Sequence, residues 1–237
     1  IKRSFSNFLK DNAPHVYDEY VMERYKEGTI GGNVPKPDLT QFVSKPKFKK
    51  RQVNLEPLSS LNKSHPAKQY ALGRGLPEDK LDRLYYCPEF KKWTNTQKQT
   101  FSSTSQDDDR IIIPINDPDG NLLGFQGRSL SANAKMRYIT VMIEDHPKLF
   151  GLDNINTNDT IYIVEGPFES LFLENSVAMC GSDIDIRSFG WSDYIWVYDN
   201  EPRSRQIADK ISSAIDRGDK VVIWPSGIEH KDLNEMA

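Results

Sequence analysis

Cysteine is scarce in this chain of 237 residues: Cys87 and Cys180 are the only two. Two thiols far apart supply neither a four-ligand zinc site nor a disulfide framework, and they read as ordinary reduced thiols. Long apolar runs are missing as well. None approaches the ~18 residues of a membrane span, and no segment has the build of a secretory signal. His15, His65, His146 and His230 fall in no ligand spacing. An excess of positive charge is also lacking, for the net charge is −3. A protein that binds nucleic acid by bulk charge is usually basic, so any such contact here must be local.

Charge is sorted along the chain. Residues 45–51, KPKFKKR, hold five cations in seven positions, whereas Asp107, Asp108 and Asp109 run together and the last third is rich in acids. Residues 4–27 have helical spacing, with Pro14 suited to a first helical position. Gly28, Gly31, Gly32, Pro35 and Pro37 then open an extended linker that ends in the basic run, either a solubilising tether or a contact with nucleic-acid backbone. Four segments are expected: a helical one over 1–27, a basic linker over 28–53, a mixed α+β basic subdomain over 54–156, and an α/β subdomain over 157–237.

Within 54–156, AKQYALGRGLPEDKLDRLYY (67–86) suggests two short helices split at Gly73-Arg74-Gly75. RIIIPIND (110–117) is a strand, Asp117-Pro118-Asp119-Gly120 is turn chemistry, LLGFQGRSL (122–130) pairs back, and RYITV (137–141) adds a third strand. Beyond residue 157 strand and helix alternate. Strands are expected at 160–164, 177–181, 194–199 and 220–225, with helices at 167–175 and 203–217; the second places Ile207, Ile211, Ala214 and Ile215 on one face and stops at Gly218. Such βα repeats form a small parallel sheet with helices on both faces.

Two of these strands end on carboxylates. TIYIVEGPFESLF (160–172) stops at Glu165, and YIWVYDNEPRSRQ (194–206) stops at Asp199-Asn200-Glu201. Parallel sheets carry their chemistry at the carboxyl ends of strands. Acids gathered there repel one another unless a cation lies between them, which suggests a divalent-metal site. On spacing alone, solvated acids at loop starts remain an equal alternative.

The wording of the motifs adds a resemblance. Glu-Gly at a strand end, acid-x-acid at a later one and a final Lys-Asp are similar to the Toprim domain. The upstream RIIIPINDPDGNLLGFQGRSL…RYIT…PKLFGL and GRGLPEDKL resemble the polymerase core of bacterial (DnaG-type) DNA primases. EGPFESLFLENSVAMCG, VYDNEPR and KDLNEM look especially like the primases of T-even-type phages. The resemblance covers roughly residues 65–237, in three blocks of matching order. It departs from the family where Glu201 replaces a common Asp and where Glu169 stands for an Asp. No zinc-ribbon cysteines are present, so a ribbon, and its zinc, is expected only outside this chain, and a C-terminal truncation is expected too.

The resemblance implies a DNA-directed RNA polymerase that makes short primers on single-stranded DNA from ribonucleoside triphosphates with Mg²⁺ or Mn²⁺. It implies Asp199, Glu201 and Asp232 as metal ligands, and Glu165 as general base or outer carboxylate. Glu169 has two readings, a site acid or an exposed acid offsetting a helix dipole. Arg74, Arg110, Arg128, Arg137 and Lys148 are the implied contacts to template and triphosphate. A replicative helicase and a single-strand-binding protein are the implied partners, in the (host) cytoplasm and away from membranes. A Toprim nuclease and a non-catalytic DNA-binding assembly module are the alternatives.

Overall fold

The computed structural model describes residues 5–26, 51–181 and 184–237. Most of the expected linker and basic run lies outside them. Two compact units are present, 1–48 and 49–237.

In the first unit, the helical segment expected over 4–27 forms two helices, α1 (Phe5–Asn12) and α2 (Pro14–Lys26). Pro14 disfavours helical geometry at Ala13 and then starts α2, where its missing N–H is harmless. Leu9 is buried, and the Phe5 and Tyr20 rings meet edge-on at 5.5 Å.

The second unit begins with an all-antiparallel sheet, β1 (Glu56–Pro57), β2 (Tyr85–Cys87), β3 (Arg110–Asn116), β4 (Leu122–Ser129) and β5 (Tyr138–Met142), in that spatial order. β3 is buried on both faces, and its period of two divides its isoleucines. Ile111, Ile113 and Ile115 join a core shared with the second sheet, and Ile112 joins Phe90, Phe125 and Val141 on the other side. The expected hairpin turn forms: the Asp117 carboxylate accepts from the Asp119 and Asn121 amides, and Gly120 takes φ +78°. α3 (Pro66–Gly73) starts at His65, whose Nδ1 accepts from the Ala67 amide, and a 3₁₀ turn follows at Glu78–Arg83.

β2 and α4 (Phe90–Gln97) have no counterpart in the sequence reading. The start of α4 is held from a distance: the Asp107 carboxylate accepts from the Lys91 and Lys92 amides. α4 lies against β4, where a Cβ on Gly127 would come within 2.4 Å of the Phe90 ring.

The second sheet runs β10 (Lys220–Val221), β9 (Tyr194–Val197), β7 (Ile161–Val164), β8 (Ser176–Met179), β6 (Leu149–Phe150). Its strands are parallel except β6, which is antiparallel to β8. β6 thus carries this sheet N-terminal of residue 157, where the sequence places the border. The helix expected over 167–175 is only α5 (Pro167–Ser170). Turns replace the rest, because Asn175, at φ +51°, reverses the chain into β8 and the Ser176 hydroxyl takes the Ser170 carbonyl. α6 (Arg205–Asp216) buries Ile207 and Ala214, but Ile215 is exposed rather than on the packed face. A short α7 (Leu233–Met236) completes the unit. No helix among the described residues is long and apolar enough to cross a membrane.

Candidate active site

β7 and β9 are parallel neighbours with Val164 opposite Val197. Glu165 and Asp199 therefore leave the same edge of the sheet side by side. Asn200 ties the third element to them. Its amide donates to the Lys231 carbonyl at 2.6 Å, and its side chain donates to the Ile228 and His230 carbonyls at 2.9 Å each. That staple brings Asp232, which caps α7 through the Glu235 amide, close enough for its charge to act on Asp199.

The acids at this edge are unevenly satisfied. The Asp199 side chain is 18% exposed, and its Oδ1 has no hydrogen-bond partner among the described residues. Burial, reinforced by the charge of Glu165, pushes its carboxyl up to about 6. Glu169 is pushed up to about 8 by burial and then by the charge of Asp199, against the relief of the Gly166 amide. Glu169 is thus turned into the cluster rather than out to solvent. Gly166 has a matching reason: a Cβ there would come within 2.7 Å of the Glu169 carboxylate. Two lysines temper the charge. Lys210 pairs with Glu165, and Lys231 Nζ lies 2.9 Å from Glu201 and 4.0 Å from Asp199.

Lys210 was not singled out by sequence, although its signal was present. It shares a helix face with Ile207, Ile211 and Ala214, and a lysine on an apolar face is a lysine directed at something.

No group of three or more His, Cys, Asp or Glu among the described residues stands ready as a metal cage. The donors nevertheless suit Mg²⁺, which takes hard oxygens, keeps several waters and draws further ligands from substrate phosphates. An unpartnered, buried oxygen on one raised carboxyl, Asp199, close to a second, Glu169, is a group that gains from a cation.

The predicted cations divide. Arg128 (β4) and Tyr138 (β5) are cross-strand partners. Arg128 Nε donates to the Tyr70 hydroxyl at 2.9 Å, and the charges of Arg128, Arg74 and Glu169 all act on the Tyr138 hydroxyl. Arg74 is exposed at the end of α3, and its carbonyl accepts from Asn234 of α7. Arg137 is exposed. Lys148 precedes β6, and its carbonyl accepts from Cys180 at the end of β8, so it sits at the acidic edge of the second sheet rather than on the first. Arg110, expected as a substrate contact, is placed in the interior of the first sheet. It is buried, donates to the Gly127 and Met136 carbonyls, pairs with Asp108 at 2.8 Å and lies 5.0 Å from the Phe90 ring centre. The buried thiols of Cys87 and Cys180 are each pushed up to about 12 by burial, which leaves them inert.

No family model matches the chain. The DNA primase of Enterobacteria phage T4 is 32% identical over 234 residues, covering 97% of this chain and 68% of that protein. The DNA primase of Mycoplasma genitalium is 34% identical over 106 residues, 40% of this chain and 16% of that one. Among solved structures, the zinc-binding and RNA polymerase domains of the Aquifex aeolicus primase share the fold at TM-score 0.56 and 22% identity, over 99% of this chain and 66% of that one. A DnaG primase catalytic domain bound to single-stranded DNA does so at TM-score 0.55 and 19% identity, over 76% and 69%. On the identity and coverage shared with the phage protein, the chain belongs to the DNA primase family and is a nucleotidyltransferase of the RNA polymerase kind.

Proposed function

We propose that the chain joins ribonucleotides into short RNA primers on single-stranded DNA, with Asp199, Glu201 and Asp232 holding Mg²⁺ (or Mn²⁺) at the edge of the second sheet. The observation that carries this reading is the buried, unpartnered Oδ1 of Asp199 beside Glu165 at adjacent strand ends. The bound ion supplies activation of the attacking hydroxyl and charge neutralisation on the leaving pyrophosphate. The chain's own part is placement. Asn200 fixes Asp232 relative to Asp199, and Glu169 fills the space under Gly166. Glu165, paired with the Lys210 ammonium, is the general base or the outer carboxylate of the site in this reading. Lys231 holds Glu201 until substrate and ion compete for that carboxylate.

Arg128, Arg137, Arg74 and Lys148 are the phosphate contacts in this reading. The DNA-bound bacterial domain of the same fold supports a DNA template. A replicative helicase and a single-strand-binding protein are the partners that such a role implies.

The test is incubation with single-stranded DNA, four ribonucleotides and Mg²⁺. Short RNA products are expected, Asp199→Asn should remove them, and DNA binding should persist. Shortened DNA in place of RNA would overturn the reading in favour of a nuclease.

A further inference from the structure

Two arginines of the first sheet, both at strand positions, are held in opposite ways. Arg110 is turned inward, and both of its terminal nitrogens are engaged: Nη1 by two carbonyls and Nη2 by Asp108. Arg128 is held only from its sides. Its Cζ lies 4.6 Å from the centre of the Tyr138 ring and 5.6 Å from that of Tyr70, and its Nε is taken by the Tyr70 hydroxyl. Neither Nη has a protein acceptor among the described residues. An arginine fixed through Nε and ring contacts, with both terminal nitrogens open, has lost the freedom that normally opposes binding and kept the donors that match two oxygens of one phosphate.

The clasp comes from three elements. Tyr70 lies one turn before Arg74 on α3, and Tyr138 faces Arg128 across the β4–β5 ladder. Tyr138 is 40% exposed, so its ring covers the arginine from the solvent side rather than filling a core. Its hydroxyl is raised, first by burial, and stays neutral. The opposed charges of Arg74 and Glu169 both reach it, which puts the clasp beside the acidic edge.

We infer that Tyr70 and Tyr138 are positioning residues that hold the free Nη edge of Arg128 in one orientation, as a fork for a single phosphate. This rests on the reading of Arg128 as a phosphate contact. The phosphate belongs either to the incoming ribonucleoside triphosphate or to the DNA strand, and the two sources separate experimentally.

The experiment uses the full chain with Mg²⁺ and measures KM for a ribonucleoside triphosphate, kcat, and Kd for a single-stranded oligonucleotide. Tyr138→Leu should raise KM or Kd on the order of tenfold and leave kcat within about twofold. A change in KM assigns the fork to the triphosphate, and a change in Kd assigns it to the template. Tyr138→Phe, which keeps the ring, should stay within about twofold of the parent in both constants. Arg128→Lys should behave like Arg128→Ala, because an ammonium has no fork. Tyr70→Phe removes the hydroxyl at Nε while preserving the packing, and should raise the same constant by about threefold. Melting temperatures within about 2 °C of the parent separate these effects from unfolding. If Arg128→Ala raises a constant and Tyr138→Leu does not, the clasp is overturned and the phosphate contact stands. Tyr138→Phe as damaging as Tyr138→Leu also overturns it. If Arg128→Ala changes neither constant, the phosphate contact itself fails and the clasp fails with it.

Discussion

The two sheets of the larger unit treat their charges in contrary ways. In the first, the acid run 107–109 is absorbed into structure: Asp107 caps α4, Asp108 pairs with Arg110, and Asp109 meets the Tyr86 hydroxyl at 3.5 Å. In the second, Asp199 and Glu169 are crowded and buried without full compensation, and both carboxyls are raised. The run of three adjacent aspartates looks the more acidic in sequence, yet it is the quieter place. Crowded, incompletely paired carboxylates, rather than acid density in sequence, mark the proposed site.

The comparison breaks most sharply at Asp199. Asp199→Asn should lower primer synthesis by at least ~100-fold, with DNA affinity unchanged, if Asp199 holds the ion as proposed. Asp108→Asn, in the first sheet, should leave synthesis within about threefold while lowering the melting temperature. Measuring RNA yield and thermal unfolding on the same two variants is the check.

Arg110→Met comes next. It should cost about 2–3 kcal/mol of stability in denaturant unfolding, because it strands Asp108 and two carbonyls, without shifting nucleotide KM. A KM effect exceeding the stability effect would mean that Arg110 reaches substrate after all.

The third prediction is a pH dependence. Asp199 and Glu169 hold their protons to higher pH in the folded chain than their ordinary values of 3.8 and 4.5. Their contribution is therefore fully present below about pH 4 and lost as pH rises through about 6 for Asp199 and about 8 for Glu169. Without divalent ions, the melting temperature should fall by on the order of 5 °C between pH 5 and 8. Glu169→Gln should flatten most of that slope, and Mg²⁺ should flatten it in the parent. The smallest effect belongs to Ile215→Ser: at 55% exposure, Ile215 should change stability by no more than about 0.5 kcal/mol.

What the sequence reveals of the site and what it hides follow one rule. The strand ends at Glu165 and Asp199 and the turn at Asp117 are written in local patterns, apolar runs that stop on a carboxylate and an Asp-Pro-Asp-Gly turn. The burial of Arg110 was not legible, because it shares a strand face with Ile112, and that face is covered by α4. α4 went unseen since its cap, Asp107, lies 16 positions from Lys91. The fate of Glu169 was equally hidden: whether a first-turn acid faces water or other acids depends on where β9 and α7 end up. The middle residue of Asp199-Asn200-Glu201 drew no attention between two acids, though it does the joining.

That join bears on the order of assembly. The bonds from Asn200 to His230 span 30 positions, and the bond from Asn234 to Arg74 spans 160. Contacts of such separation carry a larger loop-closure cost than the local hairpins and βα units of the two sheets. The edge that carries the proposed site is therefore closed by contacts far apart in sequence, and it depends on the whole larger unit rather than on any one local βα unit.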